Sequence, residues 1–319
     1  MERITLEHAA KLLSEKDDIL ILMHKSPDGD AVGSGYGLAM ALRSLGKRAD
    51  PLCGDEIPKV YSYITDKVPA IGFEPKFIVS VDLATTALLS GSAVEYAESV
   101  DLCIDHHGSN NGYAKEGYVD GKSASCAEII KKLLDIMQIS IDNDMANAIF
   151  TGICTDTGCF KFSNVTSDTH RIAAELMDCG ADSTEICRLM FDCKSRAKIE
   201  LEKMVLETME FSPDGKVAFV CITKDMMEKS GAAQGETEGI AGITKQIEGV
   251  KVGITMREKD NGEFRISVRS SEDIDASKIC ALFGGGGHRA AAGCSIFKEQ
   301  TEAKKEIMAA CIAAVEEAE

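Results

Sequence analysis

The sequence predicts a two-domain α/β fold: a mostly parallel sheet flanked by helices, then a linker helix, then a smaller α/β domain. Three observations carry this. Short, mostly apolar runs at 19–23, 77–81 and 100–104 alternate with helix-period segments, as strands of a buried parallel sheet do. Residues of metal-ligating type stand at the ends of those runs, where open α/β sheets place their ligands. After about Phe211 the pattern shifts to longer strand-like segments joined by turns.

Residues 5–16 read as a helix, with Thr5 as N-cap and Leu6, Ala9, Leu12 and Leu13 on one face. The run 19–23 is the first buried strand and ends at His24. A loop leads into a small-residue helix over 31–45, stopped by Gly46. The strands 77–81 and 100–104 end at Asp82 and Asp105, and helices are expected over 124–138, 143–154, 166–179, 183–192 and 196–210. Ser212, Pro213, Asp214 and Gly215 make a turn. Strands follow over 216–222, 250–257 and 263–269, the last two joined by a hairpin turn at 259–262. A helix over 275–282, a glycine run, a strand over 294–297 and an amphipathic helix complete the chain. The expected domains are 1–195 and 213–319, with 196–212 as the linker helix.

At 319 residues the chain is long enough to bury two cores, and 45% apolar with 27% charged residues is a globular composition. The formal net charge of −17 argues against non-specific binding to long nucleic acid or an anionic membrane. Small anionic substrates then need local positive charge or a metal to capture them. The 12 cysteines include no C-x-x-C pair, which predicts free, buried thiols in a reducing compartment and no zinc site. No run approaches the roughly 20 apolar residues of a membrane span, and the N-terminus lacks a signal-peptide core. A soluble, cytoplasmic protein is expected.

Four clusters carry the chemistry. His24, Asp28 and Asp30 fall within seven residues after the first strand, and Gly29 allows the turn that aims both carboxylates at one place. A lone aspartate there would merely cap the next helix. Asp82 ends an apolar strand, where an ionised carboxylate must be paired or metal-bound, and it is placed to bridge two ions. In Asp105-His106-His107 one imidazole can bind metal while the other faces the substrate, with Asp105 orienting a ring from behind. Asp156, at the end of an apolar helix, gains its weight from the others. Carboxylate-rich sites with some imidazole favour Mn2+ or Mg2+ over zinc, and two such ions suit in-line attack by hydroxide on phosphorus.

The run Gly284, Gly285, Gly286, Gly287 is followed at once by His288 and Arg289. Consecutive glycine amides can form a concave anion site, to which the histidine and arginine add donors. Arg265 and Arg269 share one face of a strand by its period of two. Phosphate or nucleotide binding is expected here.

These motifs, over essentially the whole chain, resemble the DHH phosphoesterase family in its subfamily with a C-terminal DHHA1 domain. The resemblance implies that His24, Asp28 and Asp82 hold one Mn2+, and that Asp30, Asp82, His106 and Asp156 hold the other. It implies that His107 faces the scissile phosphate, and that Arg269, His288 and the glycines from Gly284 to Gly287 bind the rest of the substrate. The size is similar to that of nanoRNases and pAp phosphatases, which degrade very short RNAs and remove the 3′ phosphate of 3′-phosphoadenosine 5′-phosphate (pAp). The expected partners are therefore short RNA and small nucleotides such as pAp, without long DNA or membrane; a homodimer is compatible with this. A cyclic-di-AMP or pApA phosphodiesterase is the rival within the family. A catalytically silent nucleotide-binding regulator is the rival outside enzymes, and the intact ligand positions argue against it.

Overall fold

The apolar runs of the first half become strands buried on both faces. The computed structural model describes residues 1–237 and 239–318, in two units, Met1–Cys193 and the chain from Lys194 onward. In the first unit the strands are β1 (Glu2–Arg3), β2 (Ile19–Leu22), β3 (Ala49–Leu52), β4 (Phe77–Val81), β5 (Leu102–Asp105) and β6 (Glu116–Val119). They pair in parallel in the order β1-β6-β5-β4-β2-β3. Every residue of β2, β4 and β5 is buried, as the unbroken apolar runs require.

The helices of this unit are α1 (Leu6–Glu15), α2 (Gly29–Ser44), α3 (Ser62–Thr65), α4 (Cys126–Ile136), α5 (Asn143–Asp156), α6 (Ser167–Asp178) and α7 (Ser183–Cys187). Thr5 caps α1 through a 3.2 Å hydrogen bond from the His8 amide. Asp28 caps α2, accepting from the amides of Asp30 and Ala31. Residues 29–42 of α2 are all buried, so it lies inside the unit. It can do so because its glycines let α5 come close. A Cβ built on Gly33 would lie 2.3 Å from the Ala148 carbonyl oxygen and 2.8 Å from the Gly152 nitrogen.

Register aligns the strand ends. Leu22 pairs with Ser80 and Val81 with Ile104. Two residues further along, His24 comes level with Asp82; one residue further, Asp82 comes level with Asp105. Three neighbouring strands thus deliver their polar termini to one edge of the sheet.

Strands β1, β3 and β6 were not foreseen. Ala49–Leu52 contains Asp50 and Pro51, and Pro is tolerated because β3 is an edge strand. Glu116–Val119 includes Glu116 and Gly117, which hide the strand pattern.

The second unit contains α8 (Arg196–Leu206), β7 (Glu210–Phe211), β8 (Val217–Ile222), α9 (Lys224–Ser230), α10 (Ile240–Ile243), β9 (Val252–Glu258), β10 (Phe264–Ser270), α11 (Ala276–Ala281), β11 (Gly286–His288), β12 (Ala291–Ile296) and α12 (Gln300–Glu317). The sheet order is β11-β12-β10-β9-β8-β7; β8 and β9 are parallel and the other neighbours antiparallel. One face packs Ile254, Met256, Ile266 and Val268 against Ala303, Ile307, Cys311 and Val315 of α12. On the other face Leu201 and Val205 of α8 pack with Val220, Ile222 and Ile240. The helix expected over 196–210 ends at Leu206, because Glu210–Phe211 turn instead to pair with β8. Among the described residues no helix is long and apolar enough to cross a membrane.

Candidate active site

The first unit gathers its acidic and histidine residues where β2, β4 and β5 end and where α2 and α5 meet. His24 follows β2, with its Nδ1 2.8 Å from the Lys25 carbonyl. A carbonyl only accepts, so Nδ1 carries the proton and Nε2 points inward. That Nε2 lies 3.7 Å from Asp28 and 3.5 Å from Asp82. His106 Nε2 lies 3.7 Å from Asp30, 3.4 Å from Asp82 and 3.5 Å from Asp156. His107 Nδ1 is hydrogen-bonded to Asp105 at 2.8 Å and sits 3.5 Å from Asp82.

Asp82 is the hub. Its backbone is in the left-handed region (φ +52°), uncommon for any residue with a side chain. Its side chain is buried, and Oδ1 accepts no hydrogen bond. A buried carboxylate oxygen without a hydrogen bond is costly unless positive charge lies close to it, here the His106 and His107 rings or a bound cation. Three sets of donor atoms, each within 4.8 Å of one another, surround this region: His24, Asp28 and Asp82; Asp30, His106 and Asp156; and Asp82, His106 and His107. The donors are carboxylate oxygens and imidazole nitrogens, which fit hard divalent ions.

The electrostatics agree. Burial pushes Asp30 well above the usual carboxylate range, and the charges of Asp82 and Asp156 push it further. Burial also raises Asp156, to about 6, with Asp82 and Asp28 adding to the rise. Burial works against protonation of His24 and His106, but the carboxylates outweigh it. The nearby carboxylates of Asp28 and Asp82 raise His24 to about 11, and Asp82 and Asp30 raise His106 to about 10. Protons therefore occupy positions where cations would relieve the crowded negative charge.

Sequence reasoning missed several supporting groups. The Asp30 carboxylate accepts from the amides of Cys126 (2.6 Å) and Ala127 (2.8 Å) at the start of α4, and from the Ser34 hydroxyl (3.2 Å). The spacing of Asp30 and Ser34 by four on one helix was the available clue. Asp105 accepts from both following histidine amides and from the Asn110 side chain at 2.7 Å. It thereby fixes the His107 ring, and the hydrogen bond to Asp105 raises His107 in turn.

In the second unit, Arg265, Ser267 and Arg269 alternate with buried residues on β10. They line a cavity of about 340 Å³ together with Arg257 and Thr255. Arg257 was not anticipated from sequence. It stands opposite Arg265 in the β9–β10 register, and burial together with the Arg265 charge lowers it from the ordinary guanidinium range. Like charges directly opposite each other are unfavourable unless an anion joins them.

The glycine run differs from the expected amide cradle. The Gly284 and Gly285 amides already donate to the carbonyls of Ala281 (3.1 Å) and Cys280 (2.9 Å), closing the end of α11. Gly286, Gly287 and His288 form the edge strand β11 against β12. Close approach requires glycine at two of the four positions: a Cβ on Gly285 would lie 2.2 Å from the Gly293 carbonyl oxygen, and one on Gly287 would lie 2.6 Å from the Ala292 Cα. Gly284, Gly285 and Gly286 line a recess with Arg265. Arg289 is not part of the arginine cavity: its Nε donates to the Glu272 carbonyl at 2.9 Å, and it lines another recess beside Lys278.

Comparisons with known proteins agree with this layout. Residues 18–153 match the DHH family, N-terminal domain, and residues 214–317 match the DHHA1 domain. The chain is 33% identical over 296 residues to the bifunctional oligoribonuclease and PAP phosphatase NrnA of Thermus thermophilus, covering 90% of this chain and 87% of that protein. A crystal structure of an exopolyphosphatase-related protein from Bacteroides fragilis superposes with a TM-score of 0.86 and 26% identity, covering 96% of this chain and 94% of that one. The exonuclease RecJ, solved bound to manganese, shares the fold at a TM-score of 0.55 and 14% identity, covering 97% of this chain and 94% of that one. The chain belongs to the DHH phosphoesterase family, in the subfamily carrying a DHHA1 domain, and is a hydrolytic phosphoesterase.

Proposed function

We propose that the protein hydrolyses short oligoribonucleotides to mononucleotides and converts pAp to AMP and phosphate. The observation that carries the hydrolytic reading is the buried Oδ1 of Asp82, which accepts no hydrogen bond and is set among imidazoles and carboxylates from three other segments. The substrate reading is supported by similarity to NrnA and by the arginine cavity of the second unit. A cavity holding Arg257, Arg265 and Arg269 in a chain of net charge −17 suits a small polyanion better than a long one.

Two divalent ions, Mn2+ rather than Mg2+ given the mixed oxygen and imidazole donors, would supply a water of lowered pKa and neutralise charge on the phosphoryl oxygens. His24, Asp28 and Asp82 would hold one, and Asp30, Asp82, His106 and Asp156 the other, with Asp82 shared. His107, held through Nδ1 by Asp105, has Nε2 available to donate to a phosphoryl oxygen or to the departing ribose oxygen. Arg269 and Arg265, with Arg257 beside them, would pair with substrate phosphate, and His288 and the glycine recess would contact the rest.

The test is a substrate panel with Mn2+: pAp, pApA, a long RNA, cyclic-di-AMP and pyrophosphate. Release of AMP from pAp and pApA, with little action on the long RNA, is the expected result. A preference for cyclic-di-AMP or pyrophosphate would overturn the substrate assignment. Asp82→Ala is expected to abolish turnover in a folded protein, and near-normal rates with Mn2+ would overturn the shared-ligand assignment.

A further inference from the structure

Three cysteines far apart in sequence meet where α5 ends. Cys154 lies in the last turn of α5, Cys159 in the loop after it, and Cys187 closes α7. The Cys187 sulfur is 3.6 Å from that of Cys154 and 3.6 Å from that of Cys159. All three sulfurs lie within 4.8 Å of one another. The backbone bends sharply to achieve this. Gly158, Cys159 and Phe160 have φ of +55°, +58° and +61° in succession, a left-handed turn that residues with side chains rarely adopt. It brings the Cys159 amide back onto the Cys154 carbonyl at 2.8 Å.

We propose that Cys154, Cys159 and Cys187 form a second metal site that takes a thiophilic divalent ion, of which zinc is the natural candidate. Zinc–sulfur bonds of about 2.3 Å in tetrahedral geometry hold sulfurs roughly 3.8 Å apart, close to the spacing found. An all-sulfur set selects soft ions, whereas the carboxylate and imidazole donors of the other site select hard ones. A disulfide would use two of the sulfurs and leave the third aside. The equal distances from Cys187 to both partners suit a shared ion instead. Cys154 is buried while Cys159 and Cys187 are half-buried, which leaves an entry path. On binding, the ion replaces the thiol protons, which pass to solvent, and no oxidant is involved. Spacing in the sequence hides this site, because it lacks the close pairs that mark most structural zinc motifs.

The site sits beside the catalytic centre. Cys154 precedes Asp156 by two residues on α5, so an ion here would tie the helix end that carries Asp156 to α7.

The test uses the reduced, metal-stripped protein with all 319 residues. Excess Mg2+ is added for the hard site, and the protein is then titrated with Cd2+ alone. Thiolate-to-cadmium charge-transfer absorption is expected to rise and saturate at one ion per chain. It should be lost in Cys159→Ser and in Cys187→Ser and kept in Cys193→Ser, an exposed thiol outside the cluster. Circular dichroism of each variant separates lost binding from lost folding. Thiol counting on the wild type gives a second readout that needs no variant: zinc should protect three more thiols than Mg2+ does. Absence of the band in folded wild type would overturn the proposal. So would a band that persists in the folded Cys159→Ser/Cys187→Ser protein, or loss of two thiols as a disulfide without any ion bound.

Discussion

Gly33→Ala tests whether the contact between α2 and α5 sets the spacing of the acidic residues. The added Cβ would stand 2.3 Å from the Ala148 carbonyl oxygen, about 1.1 Å short of ordinary contact at 3.4 Å. That neighbour is backbone, so it cannot rotate away; the helices must part. Overpacking of this kind costs typically 1–3 kcal/mol. We take about 3 kcal/mol because two backbone groups of α5, the Ala148 carbonyl and the Gly152 amide, are struck. For a unit of this size that lowers Tm by roughly 6–12 °C. The two helices also carry Asp30 and Asp156, which share His106 at 3.7 and 3.5 Å. Displacing one relative to the other by about 1 Å is expected to slow turnover on the order of 10²-fold. Thermal unfolding by circular dichroism and initial rates on pApA with Mn2+ read the two effects separately. Gly235→Ala is the control, since nothing lies within 4 Å of its added Cβ. An unchanged Tm would refute the packing argument. A lowered Tm with an unchanged rate would refute the claim that this contact spaces the ligands.

Asp82→Asn keeps the side-chain volume but removes the charge. It is expected to cut turnover by about 10²–10³-fold or more, with reduced metal content by elemental analysis; full activity would contradict its central role. Arg269→Ala should raise KM for pAp while leaving hydrolysis of a minimal phosphodiester nearly unchanged, and equal losses on both would count against a binding role. Metal uptake should expel protons. His24 and His106, raised to about 11 and about 10 in the metal-free protein, are both protonated at neutral pH and must lose protons to act as ligands. Affinity therefore falls as pH falls, and calorimetry at pH 7 should show release of at least two protons, more where Asp30 is also protonated, through its dependence on buffer ionisation enthalpy; a buffer-independent heat would refute this. Thr5→Ala removes the cap of α1 and should cost about 1 kcal/mol of stability without changing kcat.

Much of this chemistry is legible in the linear chain because it follows from local rules. Buried parallel strands show as unbroken apolar runs, and open α/β sheets collect ligands at strand ends, so His24, Asp82 and Asp105 through His107 stand out from residue order alone. Thr5 and Asp28 are recognisable as caps because their amide partners lie within three residues. The polar and glycine-containing edge strands Ala49–Leu52 and Glu116–Val119 are not legible, because pairing rather than composition makes them strands. The glycine run shows the same limit. Its composition suggests an amide cradle, but Gly284 and Gly285 spend their amides on the end of α11. Whether an amide is free depends on its neighbours in space.

By itself the sequence determined the α/β class, the metal-ligating segments and the arginine pair on one strand face, since each depends on period or on residues close in the chain. Tertiary structure alone decided which of them meet. Strand register levels His24, Asp82 and Asp105, and the glycine-lined approach of α2 to α5 brings Asp156 to His106. The pairing of β9 with β10 adds Arg257 to the arginine cavity, and the left-handed turn at 158–160 carries Cys159 to Cys154 and Cys187. Contacts between residues distant in sequence arise from close packing and strand pairing, which no local pattern encodes.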